Sequence, residues 1–262
     1  MKGINNLGNT CYFSSILQCL LQIPQLSNYF LLKKYEGNCE FTREYQICVH
    51  TIWKHKETFN PHNLLTIFKK KYTQFDNRGQ HDSQEAFLCI IDILEKSLSD
   101  FIKKLFYGEN TQETICKSGK SIKKENFNII ILFPNKEQTH INDLLKKSQK
   151  WNGIKDYEDN NGKMWNAAAT RTIASELPYI LVISFRMYER KIKIQLEEDI
   201  DFCGTQYTLF ATSNHQGSTP NGGHYIAFTK HKNIWYLKDD EMCKQHDFPL
   251  VEYHYLSFYK KR

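Results

Sequence analysis

The chain has 262 residues, 35 basic against 29 acidic, for a net charge of +6. A content of 40% hydrophobic and 14% aromatic residues excludes a disordered chain, and the basic excess is spread too evenly for a nucleic-acid patch. No run reaches the roughly 18 apolar residues of a membrane span, and MKGINNLGN has no signal-peptide core. The expectation is therefore an intracellular protein, cytoplasmic or nuclear, with no membrane or nucleic-acid partner. Eight cysteines in such a chain read as thiols rather than a disulfide framework.

In chain order, NNLGNTCYFSSILQ (5–18) comes first. Apolar residues at 12, 13, 16, 17, 20 and 21 predict an amphipathic helix ending near Pro24, with Cys11 at its N-terminus. Unpaired N–H groups and the positive dipole end favour a thiolate there, although a small buried core residue fits the same position. HDSQEAFLCIIDILEKSLSDFIKKL (81–105) predicts one helix, with Asp82 as N-cap, Glu85 completing a capping box, and apolar residues recurring from 87 to 105. The first half thus reads as helical.

From Asn126, the runs NFNIIILF, PYILVISFR, KIKIQL, QYTLFAT, GHYIAFTK, NIWYLK and YLSFYK predict a mostly antiparallel sheet. KKENFNIII and LLKKSQK read as solvated faces. WNGIKDYEDNNGKMWN (151–166) is the most loop-like stretch, dividing two lobes or linking two strands. A helical lobe with a cysteine followed by a sheet lobe with histidines places a site at their junction.

His224 opens the strand GHYIAFTK after STPNGG, and NIWYLK runs into Asp239 and Asp240. A hairpin closed at His231 and Lys232 sets 230 against 233, 228 against 235 and 224 against 239, so His224 and Asp239 share a face. With Cys11 they would form a nucleophile, base and orienting carboxylate. A purely structural hairpin explains the same strands.

These residues resemble a family. GINNLGNTCYFSSILQ is similar to the Cys box of the ubiquitin-specific proteases, and GQHDSQEAFLCIIDIL to their Gln-Gln-Asp segment. YTLFATSNHQGSTPNGGHYIAFTK and WYLKDD are similar to the His box, and YLSFYK to the closing strand. The segments keep the family's order from Gly3 to about Lys260. The resemblance implies an α+β, papain-like fold in a single catalytic domain over 1–262, with a helical thumb over about 1–110 and a β palm with reduced fingers over about 111–262. The implied activity is deubiquitination, hydrolysis of the (iso)peptide bond after the C-terminal glycine of ubiquitin. The alternatives are a protease for a ubiquitin-like modifier and a silent ubiquitin-binding module.

The resemblance also assigns residues. Cys11 is the implied nucleophile, His224 the general base and acid, Asp239 the orienting carboxylate and Asn6 the oxyanion donor. Whether Asp240 shares the role of Asp239 stays open. Asp82 and Glu85 match acids that meet the basic tail of ubiquitin, yet the pair would cap a helix with no substrate present. His215 and Tyr225 match substrate-contacting positions, while Gly222 and Gly223 either narrow the tail channel or merely form a loop. Implied partners are ubiquitin and ubiquitinated proteins, met by a monomer without a cofactor. Family members often bind a structural zinc through two CxxC pairs, but here CKSGKS has Cys116 with Gly119, and no cysteine follows before Cys203. No metal is expected, and the fingers should be small and held by packing.

Overall fold

Pro24 cannot donate a backbone hydrogen bond, which makes it a natural helix opener, and it separates the first two helices, α1 (Cys11–Leu20) and α2 (Pro24–Leu32). The computed structural model describes residues 2–137, 139–159, 161–186, 191–219 and 222–262. α3 (Glu40–Val49) continues through a wider π-type turn (His50–His55), and α4 (His62–Lys71) follows. Every residue of α1 is buried, so it runs through the interior rather than along the surface. Phe13 lies 4.9 Å, centroid to centroid, from Phe68.

The single helix predicted to Leu105 is instead two, α5 (Ser83–Leu98) and α6 (Asp100–Phe106), broken at Ser99 with φ 38°. Ser97, Ser99 and Asp100 compete for backbone groups and form helix weakly. The break lets Ile102 and Phe106 bury, with Phe106 edge-on to Phe87.

Strands begin earlier than Asn126. β1 (Gly108–Cys116) and β2 (Gly119–Phe127) pair as a hairpin whose polar, Lys- and Glu-rich alternation gives little β-branched signal. After β3 (Ile130–Leu132) comes a helix, α7 (Ile141–Ser148), in the half read as sheet; Leu144 and Leu145 of LLKKSQK are buried there. The 151–166 stretch links strands: β4 (Asn152–Ile154), β5 (Tyr157–Glu158) and β6 (Met164–Trp165) precede β7 (Ala168–Glu176). The rest are β8 (Ile180–Phe185), β9 (Ile194–Gln195), β10 (Asp199–Phe202), β11 (Thr205–Thr219), β12 (Gly222–His231), β13 (Ile234–Asp239), β14 (Met242–Gln245), β15 (Val251–Glu252) and β16 (His254–Lys261).

The large sheet has the order β14-β13-β12-β11-β16-β8-β3, with β10 added on β11, and only β3 runs parallel to its neighbour. Along β12, Tyr225 and Ala227 join the core under the helices, whereas Ile226 and Phe228 join a second core with α7. Both faces of this sheet are therefore covered, and α1 lies across the first. Among the described residues no helix is long and apolar enough to cross a membrane.

The second sheet, β2-β1-β7-β4, carries the small β5–β6 hairpin at its tip. Packing is not its only tie. Asp159 accepts from the N–H groups of Asn161 (2.9 Å) and Lys163 (3.1 Å), from Ser118 Oγ (3.0 Å) and from Trp165 Nε1 (2.8 Å). These bonds, led by that of Trp165, draw its carboxyl down to about 2. Cys116 Sγ lies 2.9 Å from the same Ser118 Oγ. Asp159→Ala is expected to speed amide hydrogen exchange at Asn161 and Lys163, while the melting temperature moves by only about 2 °C, as for a surface substitution. EDTA should leave both unchanged; a chelator-dependent melting temperature would contradict a metal-free tip.

Candidate active site

Cys11 is positioned by the turn before α1, where Gly8 (φ 92°) and Asn9 (φ 52°) take left-handed backbone. Asn6 Oδ1 gathers this turn by accepting from Gly8 N–H, Thr10 N–H and Thr10 Oγ1 at 2.9, 3.2 and 3.0 Å. Thr10 is the N-cap, but its hydroxyl faces back to Leu7 N–H and Asn6 rather than capping the helix. The open first turn of α1 is thus left facing the site. Cys11 itself is 4% exposed. Asn9 Nδ2 donates to Arg78 O at 2.8 Å, which pins this loop to the segment ahead of α5.

β12 crosses α1 and presents His224. The imidazole lies against the Cys11 side chain and, through Nε2, is hydrogen-bonded to Asp239 Oδ1 at 2.6 Å. The predicted register is shifted by two: Lys230 faces Trp235 and Ala227 faces Lys238, because the turn falls on Lys232 and Asn233, both at positive φ. An even shift keeps every side chain on its face. Asp239 accordingly meets His224 on a diagonal rather than directly opposite. The proximity of the Cys11 side chain, opposed by burial and aided by Asp239, raises His224 to about 9.

Asp240, left open in the sequence, has a distinct position. Its Oδ2 accepts from Asn6 Nδ2 at 2.8 Å and lies 3.9 Å from His224 Nε2, and burial raises its carboxyl. Ligand atoms of His224, Asp239 and Asp240 fall within 4.8 Å of one another, the donor set of a cation site. The His224–Asp239 hydrogen bond and the one from Asn6 to Asp240 account for the grouping without an ion.

Of the remaining predicted positions, Asp82, His215, Tyr225 and Gly223 lie together beside this group. Asp82 caps α5, its Oδ1 accepting from Gln84 N–H (2.6 Å) and Glu85 N–H (3.3 Å), and its Oδ2 accepts from Tyr255 OH. The reciprocal half of a capping box is not formed, since Glu85 is exposed and accepts from Gln74 Nε2 at 3.4 Å. His215 and Tyr225 stack with centroids 4.5 Å apart, and burial lowers His215 to about 4. Gln80, which no pattern singled out, grips Gly223 on both sides, donating to its carbonyl (2.6 Å) and accepting from its N–H (2.8 Å). A Cβ on Gly223 would sit 2.0 Å from Gln216 O, so only glycine fits there. Gly222 precedes it on β12; of STPNGG, Pro220 and Asn221 lie outside the described residues.

A helical bundle carrying the cysteine against an antiparallel sheet carrying the histidine is the α+β architecture of the papain-like cysteine proteases. The profile of ubiquitin carboxyl-terminal hydrolase matches residues 2–259, and the chain belongs to that family. A probable ubiquitin carboxyl-terminal hydrolase 16 of Schizosaccharomyces pombe is 23% identical, covering 99% of this chain and 66% of the relative. Ubiquitin carboxyl-terminal hydrolase 23 of Arabidopsis thaliana is 24% identical, covering 93% of this chain and 33% of the relative. This chain thus spans less than two thirds of either. A chain of the SAGA DUB module Ubp8/Sgf11/Sus1/Sgf73 bound to monoubiquitin shares the fold, with a TM-score of 0.88 at 22% identity, covering 100% of this chain and 69% of that one.

The raised His224 has a defined pH signature. Its protonated form is favoured by the fold, so its contribution to stability is complete below about 6.5, the ordinary histidine value, and is lost as pH rises through about 9. An NMR titration of the imidazole is expected to give a midpoint near 9. In Cys11→Ala the midpoint should fall, because the largest cause is removed; an unchanged midpoint would contradict the contact.

Proposed function

We propose that this chain is a deubiquitinating thiol protease that hydrolyses the peptide or isopeptide bond after the C-terminal glycine of ubiquitin. The observation that carries this reading is the juxtaposition of Cys11 with the hydrogen-bonded pair His224 and Asp239 where α1 meets β12, in a chain of this family. The monoubiquitin on the SAGA module supports ubiquitin as the substrate. The helices up to Phe106 act as thumb, and the strands from Gly108 as palm and reduced fingers, in one catalytic domain. The protein works as a monomer in the cytoplasm or nucleus, without a cofactor, nucleic acid or membrane.

With Nε2 donating to Asp239, the other ring nitrogen of His224 takes the Cys11 proton. The thiolate attacks the glycine carbonyl carbon; the S–C bond forms as the carbonyl π pair moves onto oxygen. Collapse of that oxyanion breaks the C–N bond, and His224 returns the proton to the leaving amine. Water, deprotonated by His224, then attacks the thioester and releases the ubiquitin carboxylate and the Cys11 thiol. Asp239 holds the ring and steadies the imidazolium. Asn6 has a second amide hydrogen beyond the one given to Asp240, and with the Cys11 N–H it serves the oxyanion. One such donor is worth about 2.7 to 4 kcal/mol.

Both Asp82 oxygens already serve the helix cap and Tyr255, so exposed Glu85 is the acid left for the cationic tail of ubiquitin. The His215–Tyr225 stack, Gly222 and Gly223 line a passage that admits a glycine backbone and excludes side chains.

Turnover of a ubiquitin C-terminal fluorogenic substrate tests the reading. Cys11→Ala is expected to lower kcat by on the order of 10⁴-fold or more while retaining ubiquitin binding. Asp239→Asn should be milder than His224→Ala. Labelling of Cys11 by a ubiquitin-like probe in preference to ubiquitin would redirect the substrate, and full activity in Cys11→Ala would remove the nucleophile. Glu85→Gln should raise KM for ubiquitin at low salt, and Asp82→Asn should leave it nearly unchanged.

A further inference from the structure

The two elements that bring the thiol and the imidazole together also meet at their far ends. α1 runs about 15 Å from Cys11 to Leu20, at roughly 1.5 Å per residue. β12 runs from Gly222, past His224, to His231. Between these far ends, α2 and the end of β16 lies a cavity of about 380 Å³. Nothing in the proposed hydrolysis uses it.

One wall is apolar, formed by Leu21, Leu31, Trp53 and Phe210. It is held in place, because Trp53 Nε1 donates to Leu21 O at 3.0 Å and the indole packs 5.1 Å from the His231 ring. Burial keeps His231 below the ordinary histidine value, so it offers a neutral aromatic face near pH 7. The rim carries Lys230, Lys232 and Lys260. Lys230 is already answered, donating to Glu198 at 2.8 Å and lying over Trp235. Lys232 and Lys260 make no ion pair among the described residues, and no carboxylate lines the cavity.

Two ammonium groups without counter-charges beside a fixed apolar wall are complementary to one ligand chemistry, an anion carried on an apolar body. The volume falls within the roughly 300 to 1,000 Å³ of small-molecule sites. We propose that this cavity binds a small amphipathic carboxylate, its apolar body against Trp53, Leu31 and Phe210 and its head group on Lys232 and Lys260. Such an occupant would tie the end of α1 to the end of β12. The proposal is independent of the catalytic reading, because its readouts are binding and stability.

The test uses the whole chain and two probes. Anilinonaphthalene sulfonate is titrated by fluorescence, and decanoate, below its micelle concentration, competes with it. The expected result is saturation at one site, displacement by decanoate, and at least tenfold weaker binding of neutral decanol. Lys232→Glu with Lys260→Glu should weaken decanoate at least tenfold without loss of ubiquitin turnover, and the paired Lys→Gln variants should weaken it less. At about 100 times Kd, decanoate should raise the melting temperature by roughly 5 °C in the parent and by much less in the Glu variant. Equal affinity for decanol, or unchanged decanoate affinity in the Glu variant, would overturn the site.

Discussion

The backbone carbonyl of Asp240 accepts from Ile4 N–H at 2.9 Å and from Gln18 Nε2 at 3.3 Å, and through these two bonds the sheet holds both sides of the segment bearing Cys11. The Asp240 side chain adds the bond from Asn6. Asp240 itself sits at φ 50°, an unusual conformation for a residue with a side chain, and the surrounding contacts keep it there. The approach is close enough that a Cβ on Gly3 would lie 2.2 Å from that carbonyl. The Cys11–His224–Asp239 geometry is thus set less by the three side chains than by a turn that anchors the N-terminal loop to the sheet. Asp240 is half-buried and its carboxyl is raised, so the anchor sits where an unanswered polar group would be costly.

Much of this was legible in the sequence, for reasons that differ by element. Cys11 at a helix start followed from the apolar spacing after it, which burial in α1 preserves. The pairing of β12 with β13 was legible in kind but not in register. Asn233 suits a left-handed turn position and Lys232 gives no such signal, so the sequence points to a turn one residue early. The resulting error of two residues kept side-chain parity, which is why His224 and Asp239 still meet. An error of one would have sent them to opposite faces.

What stayed hidden depends on tertiary context. The polar alternation of β1 and β2 gives no hydrophobic period, and α7 is only eight residues long, with its leucines followed by lysines. The break at Ser99 is invisible to a pattern that continues smoothly to Leu105. Gln80 and Asp159 act through bonds to residues whose proximity only the folded chain creates: Gln80 with Gly223 is 143 positions apart, and Asp159 with Ser118 is 41. Single-sequence patterns carry no trace of such pairs.

The anchor at Asp240 also orders events in time. Asn6 and Asp240 are 234 positions apart, so a ribosome making about 5 to 20 residues per second needs roughly 12 to 50 s to pass from one to the other. During that interval Cys11 exists without His224, Asp239 or the turn that anchors its loop. The nascent chain thus carries Cys11 without its neighbours, and the emergence of β12, β13 and Asp240 completes the group. Synthesis past Asp240, rather than of the Cys11 segment itself, is in this sense the step that assembles the site.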